Sequence, residues 1–412
     1  MNKIIKEQIR HLKPSATLAI NEQSNKLKKS GKKIYMFGFG QSPFPIPEPL
    51  VSSLKFNASK NKYLPMQGLE DLRTSIASSL NENQNNNNFN PENIIIGPGT
   101  KELMLLTQIA FDGEVLLPAP SWVSYQPQAL IAKNKVHWIN TSISSNWFPT
   151  AENLEKKIKS IKSKNLILLI NSPNNPTGTT CKNLKEISEI AEKYKLIILS
   201  DEIYSKLTFS GHYESISKYY PKRTIISSGL SKWCGAGGWR LGFFAIPEEL
   251  NQLKDSLKIL CSESFTSVSA PVQYAAIEAY KGDHSEYVKK VNKILFFISN
   301  YVYEILKSNS IAVSKPEGGF YLFPEFKNAK FLSSSEMCSD ILNKIGVALL
   351  PGSDFGLDPK KMIARLSYTD FDGENFLKNT SGSKNLDEGD LKKYAPNIVE
   401  GVHKLKEWSN NL

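Results

Sequence analysis

Arg223-Thr224-Ile225-Ile226-Ser227-Ser228-Gly229, followed at once by Leu230-Ser231-Lys232-Trp233-Cys234-Gly235-Ala236-Gly237-Gly238-Trp239-Arg240, is an apolar strand that runs into a lysine-bearing, glycine-rich turn. An arginine closes the turn eight residues after the lysine. Upstream, Leu196-Ile197-Ile198-Leu199-Ser200 reads as another buried strand, ending in Asp201-Glu202-Ile203-Tyr204. Further out, short apolar runs recur at Ile94-Ile95-Ile96, Val115-Leu116-Leu117, Leu166-Ile167-Leu168-Leu169-Ile170 and Phe243-Phe244-Ala245. Most lack polar alternation, as expected for strands buried on both faces of a largely parallel sheet. Helical patterns such as Glu102 to Ala110 and Leu184 to Tyr194 lie between them. The pattern predicts an α/β fold: a large domain with a mostly parallel, seven-stranded sheet flanked by helices, plus a smaller α+β domain.

The flanking sequence fills out that plan. Residues 11–30 read as a short helical lead with Leu18, Ile20 and Leu27 as apolar points. Tyr35-Met36-Phe37-Gly38-Phe39-Gly40 reads as a strand entering a turn, and Pro43, Pro45, Pro47 and Pro49 follow as an irregular connection. His284 to Ser308 reads as one long helix, after which short strands appear at Ile311-Ala312-Val313 and Phe320-Tyr321-Leu322-Phe323. A final helix spans Ile398 to Trp408. The expected division is residues 1–47 as an N-terminal segment with part of the small domain, 48–300 as the large domain and 301–412 as the C-terminal small domain. The asparagine-rich patch from Asn81 to Asn90 reads as an exposed loop.

Composition narrows the function. The chain has 412 residues, 40% hydrophobic and 22% charged, enough for a sizeable soluble core. Its net charge of +11 raises nucleic acid as a partner, but the lysines are spread along the whole chain. The densest run, Lys156 to Lys164, carries Leu154, Ile158 and Ile161 at helical spacing and reads as a solvated helix face. No run approaches the ~18 apolar residues of a membrane span. Met1 to Pro14 is charged and unlike a signal peptide. Cys181, Cys234, Cys261 and Cys338 are isolated and the five histidines are scattered, so a reduced, cytoplasmic protein without a metal site is expected.

The strand ends carry the chemistry. A lysine, an acid, a phenol and an arginine grouped there are what pyridoxal phosphate requires. Lys232 would form the Schiff base and then act as general acid and base, Asp201 would pair with the pyridinium nitrogen and Arg240 would clamp the phosphate. Tyr204 and Asn175, the latter in Asn171-Ser172-Pro173-Asn174-Asn175-Pro176-Thr177-Gly178, can donate to the phenolate oxygen. Gly97-Pro98-Gly99-Thr100-Lys101 ends a strand and opens a helix, which offers backbone amides to a phosphate. Trp122, in Pro120-Ser121-Trp122-Val123-Ser124-Tyr125, can stack on a planar ring. Each has a plainer alternative: Asp201 as a helix cap, Tyr204 as a core aromatic, the Asn-Pro-Gly stretch and the Gly-Pro-Gly stretch as ordinary turns. It is their order at successive strand ends that favours the cofactor.

On these residues the chain resembles the fold-type I pyridoxal-phosphate aminotransferases of class I/II, and within them the aspartate aminotransferase-like branch. The likeness runs from Leu12-Lys13-Pro14-Ser15-Ala16-Thr17 through Lys62-Tyr63, Pro316-Glu317-Gly318-Gly319-Phe320-Tyr321, Pro351-Gly352-Ser353-Asp354-Phe355 and Ala364-Arg365-Leu366-Ser367-Tyr368 to the last helix. The resemblance implies transamination between amino acids and 2-oxo acids, with glutamate or aspartate as one partner. It implies that Arg365 binds the substrate α-carboxylate, helped by Gly40, Trp122 and Asn175. It also implies a homodimer in which Tyr63 reaches the phosphate in the neighbouring subunit. Two departures stand out. The position three before the lysine, commonly a phosphate-binding serine, is Gly229, which leaves Ser231 and Ser228 as alternatives. The segment Phe371 to Pro396 is longer than the family's usual connection and could reshape the substrate pocket.

Other enzymes share this scaffold. Carbon–sulfur β-lyases tend to carry histidine at the place of Tyr204, and aminocyclopropane-carboxylate synthases are similar too, while the Asn-Asn-Pro-Thr-Gly turn favours transamination. A cofactor-binding regulator of DNA would need an added module for which the N-terminal segment leaves no room. In the aspartate-like branch the substrate side chain is bordered by positions that here hold Ser15, Thr17 and Lys101. Lys101 has two readings, one facing a distal carboxylate and one facing solvent. Phe39 and Gln41 beside Gly40, with the long segment after Arg365, argue for a pocket other than that of a dedicated aspartate enzyme.

Overall fold

The computed structural model describes residues 4–10, 12, 14–84, 89–380 and 385–412. Seven strands form its main sheet: β1 (Ile94–Gly97), β2 (Glu114–Ala119), β3 (Val136–Asn140), β4 (Leu166–Asn171), β5 (Ile197–Asp201), β6 (Thr224–Gly229) and β7 (Gly242–Ala245), in the order β1-β7-β6-β5-β4-β2-β3. All run the same way except β7, which is antiparallel to both β6 and β1. Ile167 and Leu169 of β4 pack into one hydrophobic cluster, and Leu168 and Ile170 into another on the opposite face. Helices Thr100–Ala110 and Asn251–Ser264 cover the first face, and Ala151–Lys159 and Leu184–Lys193 the second. Strands buried on both faces need apolar residues at every position, which explains the unbroken runs.

The apolar runs fall on six of the strands. The seventh, β3, lies at the edge, where His137 and Trp138 are half-buried and Asn140 is exposed, so its sequence carries no buried run. A second region follows the helix Ser285–Leu306. It comprises β8 (Ile311–Ala312) paired with β10 (Glu325–Phe326), and an antiparallel sheet of β11 (Leu350–Pro351), β12 (Ala364–Ser367) and β9 (Tyr321–Leu322). The last helix, Pro396–Asn410, packs along Ser285–Leu306.

Three expectations change. The strand at 35–40 does not form; Tyr35 makes a single bridge to Val347. Tyr35 and Phe37 keep a few backbone bonds, while side chains take the rest: Met36 N–H donates to Asp370, and Gly38, Phe39 and Gly40 carbonyls accept from Arg365, Thr369 and Lys232. In the asparagine-rich patch, Asn81 to Gln84 continue the helix Glu70–Gln84, and the Asn81 amide pairs with both backbone groups of Phe89; residues 85–88 lie outside the described residues. The helix over the lysine-rich run stops at Lys159, leaving Ile161 beyond it.

Candidate active site

Because only β7 is reversed, the C-terminal ends of β1, β2, β4, β5 and β6 open on one side of the sheet, together with the start of β7. Register sets Asn171 beside Asp201, Asp201 beside Ser227, and Gly242 between Gly229 and Gly97. The ends of β4 and β5 are fastened by Asn171, whose side chain donates to the Asp201 carbonyl at 2.8 Å and accepts from the Asn175 N–H at 2.7 Å.

Asp201 is 5% exposed and accepts the Tyr125 hydroxyl at 2.7 Å. Burial pushes its pKa up to about 6, against the pull of Tyr125, the Ile203 N–H and Lys232. It caps no helix, since the next helical turn starts at Ser205. Tyr204 shares a 2.9 Å hydrogen bond with the Tyr321 hydroxyl, and burial raises its pKa far enough to keep it a phenol. The half-buried Lys232 donates from Nζ to the Gly40 carbonyl at 2.8 Å, with the Phe320 and Tyr204 ring centroids at 5.5 and 5.8 Å. Burial, followed by repulsion from Arg365, pushes its pKa down to about 8. An amine becomes a usable nucleophile and base in that range.

Arg365, on β12, is 1% exposed. It donates through Nη1 to Asn175 Oδ1 at 3.0 Å and through Nη2 to the Gly38 carbonyl at 2.7 Å. Its guanidinium carbon lies 4.7 Å from the Tyr321 ring centroid, and its buried Nε has no partner among the described residues. Gly40 sits so close to Tyr321 that a Cβ there would stand 2.0 Å from the phenol oxygen.

At the other end, Gly99 precedes the helix Thr100–Ala110 with φ of +88°, and a Cβ there would stand 2.2 Å from Arg240 Nη2. Arg240 is itself left-handed, with φ of 53°, and donates to the Gly237 and Pro98 carbonyls at 3.1 Å each. Lys101 Nζ lies 5.4 Å from the Trp122 ring centroid, and burial with the nearby Arg240 lowers its pKa. Trp122 meets Tyr125 edge-on at 5.3 Å. A serine at 229 has no room, because a Cβ would lie 2.7 Å from the Leu241 carbonyl oxygen. Ser228 donates to the Glu202 carbonyl at 3.3 Å.

The fold therefore gathers Lys232, Asp201, Tyr204, Asn175, Arg365 and Gly40 into one cluster, with Gly99, Thr100, Lys101, Trp122 and Arg240 at the strand ends beside it. It does not bring in Tyr63, which is 88% exposed, and no hydrogen bond among the described residues ties Ser15 or Thr17 to Arg365 or Lys232. Tyr125, Tyr321 and the Gly38 carbonyl were not anticipated as site groups. The signal in the sequence for Tyr125 was a phenol three residues after Trp122, just past the end of the same strand.

A lysine with a depressed pKa, a buried acid and a buried arginine at the C-terminal edge of such a sheet define a site for carbonyl–amine chemistry on an anionic substrate. The chain matches the family described as aminotransferase class I and II over residues 37–376, and it belongs to that family. It is 32% identical over 376 residues to the aspartate aminotransferase of Bacillus subtilis (strain 168), covering 88% of this chain and 93% of that one. It is also 32% identical over 383 residues to a probable aspartate/prephenate aminotransferase of Aquifex aeolicus (strain VF5), covering 89% and 95%. The fold superimposes on the aspartate aminotransferase from Thermus thermophilus with maleate at a TM-score of 0.85 and 24% identity, covering 98% of this chain and 99% of that one. Enzymes of this class use pyridoxal phosphate.

Proposed function

We propose that this chain is an amino acid:2-oxo acid aminotransferase that holds pyridoxal 5'-phosphate on Lys232 and takes glutamate or aspartate as one partner. The observation that carries this reading is the pairing of two cations across one segment: Lys232 on the Gly40 carbonyl and Arg365 on the Gly38 carbonyl. The residues fit the cofactor. With no Cβ, Gly99 lets the Arg240 guanidinium lie against its backbone at a helix N-terminus, and a cation beside free backbone N–H groups suits a phosphate. Gly99, Thr100, Lys101, Arg240 and Ser231 would hold that phosphate; Ser231 is favoured because the Ser228 hydroxyl is already bonded to Glu202. Trp122 would stack on the ring, Tyr204 and Asn175 would bond its phenolic oxygen, and Asp201 would pair with its nitrogen.

When bound, the cofactor supplies an electron sink for the charge left on the substrate's Cα. Lys232 Nζ moves the proton between Cα and its acceptor, as an amine poised near neutral pH can. Asp201 holds positive charge on the ring nitrogen, and Tyr125 holds the Asp201 carboxylate in place. Arg365 orients the α-carboxylate through its fork, and its free Nε is a donor still to be satisfied. Lys101 is exposed, with Nζ over the Trp122 ring, so its cation stands at the rim of the site. The relatives named above are aminotransferases and lend nothing to the β-lyase alternative.

The proposal includes a homodimer, with Tyr63 of the partner subunit completing the phosphate site, supported by its exposure and that of Phe56 at 84%. No helix among the described residues is long and apolar enough to cross a membrane. A cytoplasmic location is supported by four free cysteines, all buried. Absorbance spectra of the purified protein with a panel of amino and oxo acids test the reading. Glutamate or aspartate should convert the cofactor from its aldehyde to its amine form, and Lys232→Ala should abolish both that change and the borohydride-reducible adduct. A reduced adduct on another lysine would overturn the assignment.

A further inference from the structure

Within the segment 371–396, of which 381–384 lie outside the described residues, two short helices, Gly373–Asn379 and Glu388–Tyr394, pair as a hairpin through their Phe376 and Tyr394 rings, which stack at 5.0 Å. None of its described residues enters the cluster around Lys232. It packs instead on the far end of the segment that crosses that cluster. A Cβ on Gly373 would stand 2.3 Å from the Pro43 carbonyl oxygen and 3.0 Å from the Phe44 N. Phe371 meets Phe44 edge-on at 5.6 Å and Phe376 at 6.1 Å. From the other side, the Tyr287 hydroxyl donates to the Pro45 carbonyl, and a Cβ on Gly235 would stand 2.5 Å from the Phe44 carbonyl oxygen. Residues 43–45 are thus clamped between the hairpin and the lysine-bearing turn. Three residues earlier, Gly40 accepts from Lys232 and lies on Tyr321 with no room for a Cβ. Two further back, Gly38 accepts from Arg365.

We propose that Phe371 and Gly373 are positioning residues: the hairpin fixes Pro43 and Phe44 and thereby sets the Gly38 and Gly40 carbonyls that orient Arg365 and Lys232. This deepens the aminotransferase reading and rests on it. The hairpin acts on the α-carboxylate site, which every amino acid uses, and so leaves the choice between side chains alone. This differs from the expectation that it reshapes the substrate pocket.

Gly373→Ala forces Pro43 and Phe44 away through backbone atoms that cannot rotate aside. Asp372→Ala removes the side chain that caps the first helix, accepting from the Asn375 N–H at 3.1 Å, without touching residues 43–45. Misplacement of about 1 Å near a reacting group can cost about 100-fold, so Gly373→Ala should raise KM for aspartate, glutamate and an apolar amino acid alike, by roughly 10- to 100-fold. Cofactor content should stay near that of the parent when assayed well below a thermal midpoint that the clash lowers, and Asp372→Ala should give a smaller rise of the same kind. Gly389→Ala, at an exposed position of the second helix, where a Cβ meets only the movable Asp387 side chain, should match the parent. Unchanged KM in Gly373→Ala overturns the proposal, as does a loss matched by equal cofactor loss or confined to one substrate. A parent protein with no half-reaction would instead refute the aminotransferase reading.

Discussion

At the scale of single residues, the site depends on ionisable groups whose ordinary chemistry is shifted by burial. Asp201 shows how the shift is moderated. Desolvation disfavours its carboxylate, and the Tyr125 hydroxyl at 2.7 Å returns part of that cost. A carboxyl group titrating at about 6 is neutral below that pH and charged above it. A cationic ring nitrogen is stabilised only by the charged form. Affinity of the cofactor-free protein for pyridoxal phosphate should therefore rise as pH increases through about 6. Tyr125→Phe removes a contribution that lowers the pKa, so the inflection should move to higher pH. It should also weaken cofactor binding at neutral pH by about 1.5–3 kcal/mol, the range for a hydrogen bond to a charged group. Cofactor titrations by fluorescence from about pH 5 to about pH 8, a window that brackets the Asp201 value of about 6, give both quantities. An inflection that stays put in Tyr125→Phe would mean that the phenol does not tune Asp201.

At the scale of elements, the sequence was most readable where the physics was local. Buried parallel strands demand apolar residues on both faces, so β4, with Leu166 to Ile170, could be read directly. Edge strand β3 answers to neither pattern and was missed. The segment 35–40 looked like a strand because Tyr35, Met36 and Phe37 are apolar, yet its conformation is set by Arg365 and Lys232, 327 and 192 residues away in the chain. Lys232, Asp201, Tyr204 and Arg240 were legible because each ends or follows a strand. Tyr321 was not, because its role comes from packing against Gly40 and Arg365, which no local pattern encodes. The turn from β1 into the helix Thr100–Ala110 makes a direct test of one element. With φ of +88° and ψ of 153°, Gly99 occupies a region essentially closed to other residues. Gly99→Ala would carry strain on the order of 1–3 kcal/mol and drive Arg240 from its place. Cofactor affinity should drop roughly tenfold or more, while kcat at saturating cofactor changes less. Equal affinity in parent and variant would remove this turn from the phosphate site.

At the scale of the whole molecule, the proposed homodimer would complete the site. Every other residue assigned to the phosphate lies at the sheet edge, whereas Tyr63 stands in solvent at 88% exposure, after Phe56 at 84%. A two-fold dimer puts the same patch on both copies, so each Tyr63 can serve the site opposite. That geometry makes a prediction independent of any single variant's weakness. Lys232→Ala lacks the cofactor's anchor but keeps Tyr63, and Tyr63→Phe keeps the lysine but loses the phenolic hydroxyl. Neither alone should turn over at the parent rate. If the subunits are unfolded together and refolded in equal amounts, about half of the dimers are mixed. In each mixed dimer one site joins an intact lysine to an intact Tyr63 of the partner subunit, and the other has neither. Activity should then recover to about a quarter of the parent's, above the average of the two parent variants. Were Tyr63 to act within its own chain, mixing would build no complete site, and activity would remain at that average.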